Sequence, residues 1–570
     1  MLSTRVETLR SFLPYLQSNL SRYNYLLNSC SSLEHLKQIH SQIVKSGLSQ
    51  NILLSTKLVS VCCALSSSSM DYAHSMFGTI SHPDAFAYNT LIRGYAVAGP
   101  CLEALKLYRK MHLVGLMPDN FTFPFVVRSC AVLSLLTEGK QVHCIIIKHG
   151  LDSGVFVQSA LLTMYAQTGE TSCAELVFGE IKTQNVVSWT AMIAGYVQNG
   201  FLKESFGVFR QMLVSGTKPN SVTLVSILPA CAGLEMLNFG ELIHGYGIKA
   251  GVDSDVSLVN SLIALYGKCK KVKLARFLFD RMKVRNFVSW NAMIAAYEQN
   301  GAGEKAIKLF QRMQTENVKF DYITLVSVIS ACASLGALRT GRWVHEIVQR
   351  RGLETNFSVA NALLDMYAKC GCIDLAKSMF DKLHKRNVVS WSAMIGAYAA
   401  HGQAEGALKL FYRMQEDGVK PNMFTFTSVL TACRHSGLIE EGIRYFDNLR
   451  KDYSIEPGEE HISCLVDLLG RAGRLIEAYK FIEQMPVKPG VGVWGALLVA
   501  CQTHGNIELA EVVVKHLFQL DPKNVTYYLL MANLYAQAGR WDDVLKLRKL
   551  MKMQKLKKIP GHSLLINVVV

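Results

Sequence analysis

Apolar side chains recur along this chain with the period of an α-helix. In residues 186–220, Trp189 and Tyr196 stand seven positions apart, with further apolar residues between them at helical spacing, as expected for a helix that packs along one face. Gly200 interrupts the pattern, a second apolar stripe follows, and Gly216 stands where a helix typically ends. The segment is therefore predicted to form two antiparallel helices, and no alternation typical of strands persists anywhere in the sequence.

The hairpin pattern belongs to a longer repeat. Trp189, Trp290 and Trp391 are 101 positions apart, and Tyr88 takes the same place one block earlier. One block divides at turn signals into segments 186–220, 221–255 and 256–286, of which the third is shorter, and each is long enough for one helical hairpin. Repetition of this kind is typical of solenoids, whose repeats stack to bury their apolar faces. We therefore expect an all-α array of helix-turn-helix repeats whose continuous surface binds something long.

Composition favours a stacked array with an anionic partner. The 570 residues exceed the roughly 250 to 300 residues of a single core. No apolar run in the sequence reaches the about 18 residues that a membrane span needs. Lys and Arg number 60 against 44 Asp and Glu, and the resulting net charge of +16 favours a polyanion. The 15 cysteines lie inside helical patterns, which favours a reducing compartment over a disulfide framework.

Residues 1–19 have the composition of a targeting segment. They are rich in arginine and serine, contain Glu7 as their acidic residue, and place leucine and phenylalanine at helical spacing. This combination is typical of an organelle transit peptide, and the alternative is an ordinary solvated first helix. We expect this segment to direct the chain to the mitochondrion, with the chloroplast as the alternative.

Short motifs inside the hairpins resemble those of one repeat family. They are Val-Val-Ser-Trp-Thr-Ala-Met-Ile-Ala-Gly-Tyr at 186–196, Phe-Arg-Gln-Met at 209–212 and Lys-Pro-Asn at 218–220. These motifs resemble those of the pentatricopeptide repeat (PPR) family. The order of two longer segments and one shorter segment is similar to that of its plant subclass, which alternates P, L and S repeats. A tetratricopeptide array has repeats of about 34 residues, and the alternating segment lengths do not fit it. The resemblance implies a right-handed superhelical solenoid, with the repeat array in residues 20–490.

The C-terminal residues 491–570 extend the resemblance. Trp-Gly-Ala-Leu-Leu at 494–498 and Leu-Asp-Pro at 520–522 resemble the family's first extension motif, and residues 535–561 resemble the second. Family members with a deaminase-like DYW domain continue well beyond this point, so the chain resembles the E subgroup, which lacks that domain. The resemblance implies single-stranded RNA as one partner and a deaminase-bearing protein, acting in trans, as another.

The resemblance also assigns candidate RNA-binding residues. In the family, the second residue of a repeat packs on a base, and the fifth and last residues hydrogen-bond the edge of that base, so each hairpin reads one nucleotide. The apolar residues implied at the second place are Val187, Val288 and Val389. The implied pairs are Thr56 with Asp84, Asn89 with Asp119, Ser159 with Asn185, Thr190 with Asn220, Asn260 with Asn286, Asn291 with Asp321, Asn361 with Asn387, and Ser392 with Asn422.

Every member of these pairs is Asn, Asp, Ser or Thr. The family's code then implies U for Asn with Asp, A for Ser or Thr with Asn, and a pyrimidine for Asn with Asn. The array would read G-U-n-A-A-n-Y-U-n-Y-A from its amino end to its carboxyl end. The L repeats depart from the code, because they carry Pro124, Val225 and Val326 at the fifth place.

Other roles for the recurring residues remain open at the level of sequence. The polar residues that end each repeat are also good helix caps, although capping does not explain a polar fifth residue inside a helix. The recurring tryptophans are interpreted as packing residues between repeats. The same interpretation applies to His143, His244 and His345, which stand too far apart in sequence for zinc-ligand spacing.

No motif in the sequence supports catalysis. A zinc deaminase needs His-x-Glu and Cys-x-x-Cys, and the sequence contains neither pairing. We therefore expect no enzymatic activity, no cofactor and no metal site. The preferred hypothesis is an organellar RNA-binding protein that specifies sites of cytidine-to-uridine editing. The alternatives are RNA stabilisation, splicing or translation control, and a protein-binding scaffold.

Overall fold

The computed structural model describes residues 20–65, 69–383, 385–485, 488–554 and 556. The expected transit peptide, residues 1–19, lies outside them. Within the described residues the regular structure is helical throughout. Helices occur in pairs, and we call the first helix of each pair the A helix and the second the B helix.

The A helices follow a first helical segment at 20–28 and are similar to one another in length. They are Ile52–Leu65, Ala85–Ala98, Phe123–Val132, Val155–Gln167, Val186–Gln198, Ser221–Gly233, Val256–Lys268, Phe287–Gln299, Tyr322–Leu335, Phe357–Lys369, Val388–Ala400, Met423–Ser436, Glu459–Arg471, Val491–Thr503 and Val525–Gln537.

The B helices return antiparallel to the A helices and are more variable in length. They are Leu33–Lys45, Met70–Gly78, Cys101–Leu113, Leu136–Lys148, Thr171–Glu180, Leu202–Val214, Leu237–Lys249, Val272–Arg281, Gly303–Thr315, Leu338–Arg350, Ile373–Asp381, Ala404–Glu416, Ile439–Lys451, Leu475–Glu483, Ile507–Leu520 and Trp541–Met553.

The predicted hairpin at 186–220 is confirmed. Its helices, Val186–Gln198 and Leu202–Val214, are separated by Asn199 and by Gly200, which adopts φ +80°. The S repeats are shorter because their B helices are shorter. Thr171–Glu180 has 10 residues, whereas Leu202–Val214 in the following P repeat has 13.

The chain folds into two compact units, one ending at Ala296 and the other beginning at Tyr297. Within each unit, successive A helices pack on one another, and each A helix also packs on the B helix of its own repeat. Small residues allow this approach. At Gly195 an added Cβ would lie 2.5 Å from the Cβ of Ala166 in the preceding A helix. The core is therefore a continuous layer between successive hairpins, as in repeat proteins.

The recurring aromatic residues pack inside this layer, as predicted. Trp189 and Trp391 are almost fully buried. Each meets a phenylalanine of the preceding B helix edge-to-face, Phe178 and Phe380, with ring centroids 4.8 Å apart in both cases. The tryptophans are therefore not platforms for stacking a bound base.

Each recurring histidine lies on the B helix of an L repeat and contacts the A helix of the repeat that follows. His143 Nδ1 lies 2.8 Å from the hydroxyl of Tyr165, and His244 Nδ1 lies 2.9 Å from that of Tyr266. Burial lowers the pKa of both histidines. Their role as packing residues is therefore accompanied by a hydrogen bond that recurs from block to block.

Candidate nucleic-acid interface

The A helices present a row of exposed apolar side chains near their amino ends. Each is the second residue of its repeat, and its side chain points away from the packed layer. Phe121 lies just before its A helix, and the others lie in the first turn of theirs. Phe156, for example, is 80% exposed and Val187 is 56% exposed. The members of this row are Leu53, Phe86, Phe121, Phe156, Val187, Val222, Val288, Ile323, Val389 and Phe424.

The assignment from sequence named Val187, Val288 and Val389 of this row and missed the others. The signal that identifies the others is their place in the repeat, because they are the second residue of their repeats whether the side chain is Leu, Phe, Ile or Val. Exposed apolar residues scattered singly are ordinary, but a row at one structural position marks a binding surface.

The last residue of most P and S repeats caps the A helix that follows. Asn220 Oδ1 accepts a hydrogen bond from the Thr223 amide at 2.9 Å, and Asn422 Oδ1 accepts one from the Thr425 amide at 3.0 Å. Capping, raised as an alternative from the sequence, is therefore one role of these residues. Those that bond the next A helix in the same way are Asp84, Asn185, Asn286, Asp321 and Asn387.

In the first P repeat, the structure brings the two candidate residues into direct contact. Asn89 Nδ2 donates a hydrogen bond to Asp119 Oδ1 at 3.0 Å. The hydroxyl of Thr122, on the next repeat, lies 2.6 Å from Asn89 Oδ1 and 3.0 Å from Asp119 Oδ1. Asn89 is only 8% exposed. The second amide hydrogen of Asn89 and the Asp119 Oδ2 atom have no partner in the described part of the chain.

In two further P repeats, the pair is joined through a threonine. Thr190 Oγ1 lies 2.7 Å from Thr223 Oγ1, which in turn lies 2.9 Å from Asn220 Oδ1. Ser392 and Asn422 are linked in the same way through Thr425, at 2.7 and 3.0 Å. Thr190 and Ser392 also bond the carbonyl four residues earlier in their own helices.

The S repeats hold their candidate residues more loosely. Asn260 Nδ2 donates to Asn286 Oδ1 at 3.3 Å, and Asn260 Oδ1 is buried without a partner among the described residues. Asn361 Oδ1 is likewise buried and unpartnered in that part of the chain. Ser159 bonds its own helix, at the Val155 carbonyl, rather than Asn185.

The remaining candidates differ in exposure. Thr56 is 1% exposed, and its hydroxyl has no partner among the described residues, whereas Asp84 is exposed. Asn291 is half-buried in the A helix Phe287–Gln299. Asp321 is half-buried and caps the A helix Tyr322–Leu335.

A groove between two successive A helices combines these features in the second unit. It is lined by Val389 and Phe424 of the exposed apolar row, by Ser392 and Asn422 of a candidate pair, and by Thr427. Polar hydrogen-bonding atoms therefore lie in a groove flanked by two apolar side chains. This arrangement suits a flat heteroaromatic ligand with polar edges.

The L repeats have apolar or cyclic residues where the P and S repeats have a polar fifth residue. Phe123–Val132 carries Pro124 in its first turn, where the missing amide hydrogen costs no helical hydrogen bond. The fourth L repeat is an exception that the assignment from sequence missed. Thr427 holds the fifth place, and its hydroxyl lies 3.1 Å from Nε2 of the buried His461.

The described residues contain no group of three or more His, Cys, Asp and Glu side chains placed to hold a metal ion. Within the same part of the chain, no helix combines the length and the apolar character that crossing a bilayer requires.

The fold defines a class, the all-α proteins built from stacked helical hairpins. Models of the PPR repeat family match residues 83–132, 184–233, 285–334 and 386–435. The PPR repeat model matches residues 257–287, 358–388, 424–453 and 462–488, and the E motif model matches residues 504–565. The chain belongs to the pentatricopeptide repeat family.

Relatives from Arabidopsis thaliana confirm this membership. The chain is 41% identical to pentatricopeptide repeat-containing protein At1g11290, chloroplastic, over 95% of this chain and 67% of the relative. It is 41% identical to putative pentatricopeptide repeat-containing protein At3g11460, mitochondrial, over 84% of this chain and 77% of the relative. It is 37% identical to putative pentatricopeptide repeat-containing protein At3g05240, over 94% of this chain and 97% of the relative.

Among solved structures, the chain is similar to that of the pentatricopeptide repeat protein PPR10 in complex with an 18-nt psaJ RNA element. The TM-score is 0.55 and the identity 16%, over 97% of this chain and 96% of that chain. The likeness shows the fold, an all-α solenoid of helical repeats, as predicted.

Proposed function

We propose that this chain binds single-stranded RNA in an organelle and selects it by base sequence. The observation that carries the proposal is the groove in which Val389 and Phe424 flank Ser392 and Asn422. Bases that are unstacked in single-stranded RNA offer both a flat face and a polar edge. The apolar side chains contact the face, and the polar pair contacts the edge. PPR10, which shares this fold, was solved with an RNA element.

The first P repeat illustrates the chemistry. Asn89 keeps one amide hydrogen available, and Asp119 keeps Oδ2 available. A donor beside an acceptor complements the edge of uracil, which offers a carbonyl oxygen and an N–H side by side. This match agrees with the U that the family's code implies for Asn with Asp.

Binding of synthetic RNA tests the proposal. An oligonucleotide with the pattern G-U-n-A-A-n-Y-U-n-Y-A, made in both polarities, is compared with a scrambled RNA of equal composition in filter binding. The expected result is tighter binding of one polarity than of the scramble. Equal affinity for patterned and scrambled RNA would contradict base selection, and absence of binding at low salt would favour a protein-binding scaffold.

The basic charge of the chain predicts that this binding weakens with salt. The net charge is +16, and each RNA phosphate that is neutralised releases a counterion, with a slope in log K against log salt of about −0.7 per contact for single strands. Preference for the patterned RNA is expected to persist at salt concentrations that weaken binding to both RNAs, because base contacts carry the preference.

We further propose that the chain specifies sites of cytidine-to-uridine editing and recruits a deaminase-bearing protein in trans. The E motif match at 504–565 supports this assignment within the family. The recruiting surface is assigned to residues 491–570. In a plant line without the protein, one or a few organellar cytidines should stay unconverted when organellar RNA is sequenced. Complete conversion at every site, with altered transcript abundance or splicing, would favour a role in RNA stabilisation or processing instead.

We assign the chain to the mitochondrion, with the chloroplast as the alternative. Its relatives include proteins named mitochondrial and proteins named chloroplastic, so the family admits either compartment. Fusion of residues 1–19 and of the full chain to a fluorescent protein tests the assignment. Fluorescence in the cytosol for both fusions would contradict an organellar location.

A further inference from the structure

The third residue of the L repeats at 120–154, 221–255 and 423–457 is a threonine whose hydroxyl lies between two side chains of the preceding P repeat. Thr223 Oγ1 lies 2.7 Å from Thr190 Oγ1 and 2.9 Å from Asn220 Oδ1. Thr122 and Thr425 stand in the same place, within 2.6 to 3.0 Å of both members of their pairs. All three threonines are fully buried.

These contacts fix which atom of each amide is left for a ligand. Asn220 Oδ1 is engaged by the amide and the hydroxyl of Thr223, so the Nδ2 donor is the atom left for a ligand. Asn89 Oδ1 is engaged by the Thr122 hydroxyl, so its Nδ2 atom bonds Asp119 and keeps a second hydrogen for a ligand. A reversed Asn220 amide would place Nδ2 against the Thr223 N–H donor, and a reversed Asn89 amide would place Oδ1 against the Asp119 carboxylate, so either reversal loses these bonds.

The Thr190 hydroxyl is oriented as well. It lies 2.6 Å from the Val186 carbonyl and 2.7 Å from Thr223 Oγ1. A hydroxyl has a single hydrogen to donate, and both of these neighbouring oxygens can accept it. The hydrogen is therefore used inside the protein in either arrangement of the network, and Thr190 can offer a ligand only a lone pair, as an acceptor.

The S repeats lack this bridge and provide an internal comparison. Ser188 bonds the backbone of Asn185 at 2.9 and 3.0 Å, whereas Ser159 bonds its own helix. Ser390 bonds Asn387, and Asn361 Oδ1 is left without a partner among the described residues. The serine of the P repeats therefore completes a helix cap, whereas the threonine of the L repeats also holds the pair of the neighbouring repeat.

We propose that Thr122, Thr223 and Thr425 are positioning residues that set the base selectivity of the preceding P repeat. The inference rests on the proposed function. Groups held in their binding orientation before the ligand arrives lose less entropy on binding and discriminate better. L repeats that carry Pro124 or Val225 at the fifth place thus contribute to reading a base through the repeat before them.

Substitution of Thr223 tests the proposal, with Thr223→Val as the main variant because it keeps the shape and removes the hydroxyl. Binding is measured for the patterned RNA and for RNAs with each other base at the nucleotide assigned to Thr190 and Asn220. We expect preference for A at that nucleotide to fall about threefold to tenfold, the range of one hydrogen bond. Preference at the nucleotide assigned to Asn89 and Asp119 should be unchanged, and Thr223→Ser should restore selectivity.

The matched control is Ser188→Ala, which removes the corresponding hydroxyl from a helix cap that does not bridge the candidate pair. This variant should lower thermal stability about as much as Thr223→Val while leaving preference at the nucleotide of Ser159 and Asn185 unchanged. Full selectivity in Thr223→Val would overturn the proposal, and so would an equal loss at all nucleotides, which indicates a structural role alone. A wild-type chain without base preference would instead overturn the proposed function.

Discussion

Asn220 and Asn422 each use the amide oxygen to cap the helix that follows and leave the amide nitrogen for a ligand. The two explanations of these residues that the sequence left open are therefore compatible, because each uses a different atom. The same division applies to Asp119, where Oδ1 bonds the next repeat and Oδ2 has no partner in the described residues. Stability and selectivity can consequently be separated by substitutions that keep one oxygen and change the other atom.

Asp119→Asn is the clearest substitution of this kind. The bond to the next repeat can keep its carbonyl oxygen, while the atom in the place of Oδ2 changes from an acceptor to a donor. We expect preference for U at the assigned nucleotide to fall about tenfold, because hydrogen bonds to a charged group contribute roughly 1.5 kcal/mol or more. Filter binding with the four bases at that nucleotide measures the change.

The control for this prediction is Asp374→Asn, which removes the same charge from an exposed residue of a B helix. It should weaken or strengthen binding to all four RNAs equally. If Asp119→Asn changed affinity without changing base preference, Asp119 would be acting through charge alone.

The histidine–tyrosine bonds predict a dependence of stability on pH. Burial lowers the pKa of His143 and His244 below the ordinary 6.5, so the folded chain resists protonation that the unfolded chain accepts. Their contribution to stability is present above pH 6.5 and is lost as the pH falls through the folded-state pKa. The midpoint of urea unfolding should therefore decrease between about pH 7.5 and about pH 5.

The double variant His143→Gln/His244→Gln isolates this contribution. Glutamine keeps a hydrogen-bond acceptor for Tyr165 and Tyr266 but does not titrate in this range. The variant should lose part of the decrease at low pH, and an unchanged pH profile would show that other groups cause it.

At the scale of the helix, the spacing of apolar residues was sufficient to predict the hairpins. The breaks at Gly200 and Gly216 follow the predicted order, and both glycines adopt positive φ, +80° and +78°. The sequence did not locate the place at which the S repeats are shortened, because a shorter A helix or a shorter B helix leaves the same apolar pattern. The structure assigns the shortening to the B helix, as in Thr171–Glu180.

The candidate pairs were predictable as residue types but not as a network. The partner of Thr190, Thr223, lies on the A helix of the next repeat, and its contact depends on how closely successive A helices approach. Likewise, nothing in the local sequence shows that Asn89 is buried while Asn220 is exposed. Such differences arise from packing between repeats, which periodicity alone does not report.

Replacing a glycine by alanine is predicted to have opposite effects on stability at a packed and at an exposed position. Gly195→Ala places a Cβ 2.5 Å from the Cβ of Ala166, and overpacking of this kind costs about 1 to 3 kcal/mol. Gly207→Ala, in the exposed middle of the next B helix, meets no atom within 4 Å and should stabilise the chain by up to about 1 kcal/mol. Thermal unfolding measures both, and a stabilised Gly195→Ala would contradict the packing described.

At the scale of the whole molecule, RNA contacts and partner contacts are assigned to different parts of the chain. The candidate pairs end at Asn422, whereas the E motif match begins at 504. The last B helix, Trp541–Met553, exposes Trp541 at 64% and Leu545 at 56%, one turn apart on the same helical face. An exposed apolar pair of this kind is suited to contact with a protein.

Trp541→Ala therefore separates the two proposed activities. We expect RNA affinity to stay within about twofold, because Trp541 lies outside the candidate pairs, and editing to be reduced when the variant is expressed in the null line. Leu113→Ala is the matched control, since Leu113 is also a well-exposed apolar residue but lies in a B helix of the array. Normal editing by Trp541→Ala would exclude this residue from the recruiting surface.

Within the described residues, the final hairpin packs on the hairpin before it, through Val491–Thr503 and Ile507–Leu520, whereas an internal hairpin is covered on both sides. In a linear array, a hairpin that is covered on one side opens locally at lower free energy than one that is covered on both sides. Its backbone amides should exchange with deuterium earlier than those of internal A helices. The segment assigned to partner recruitment would then be the one most easily reshaped by an incoming protein, without disturbing the nucleotides already held upstream.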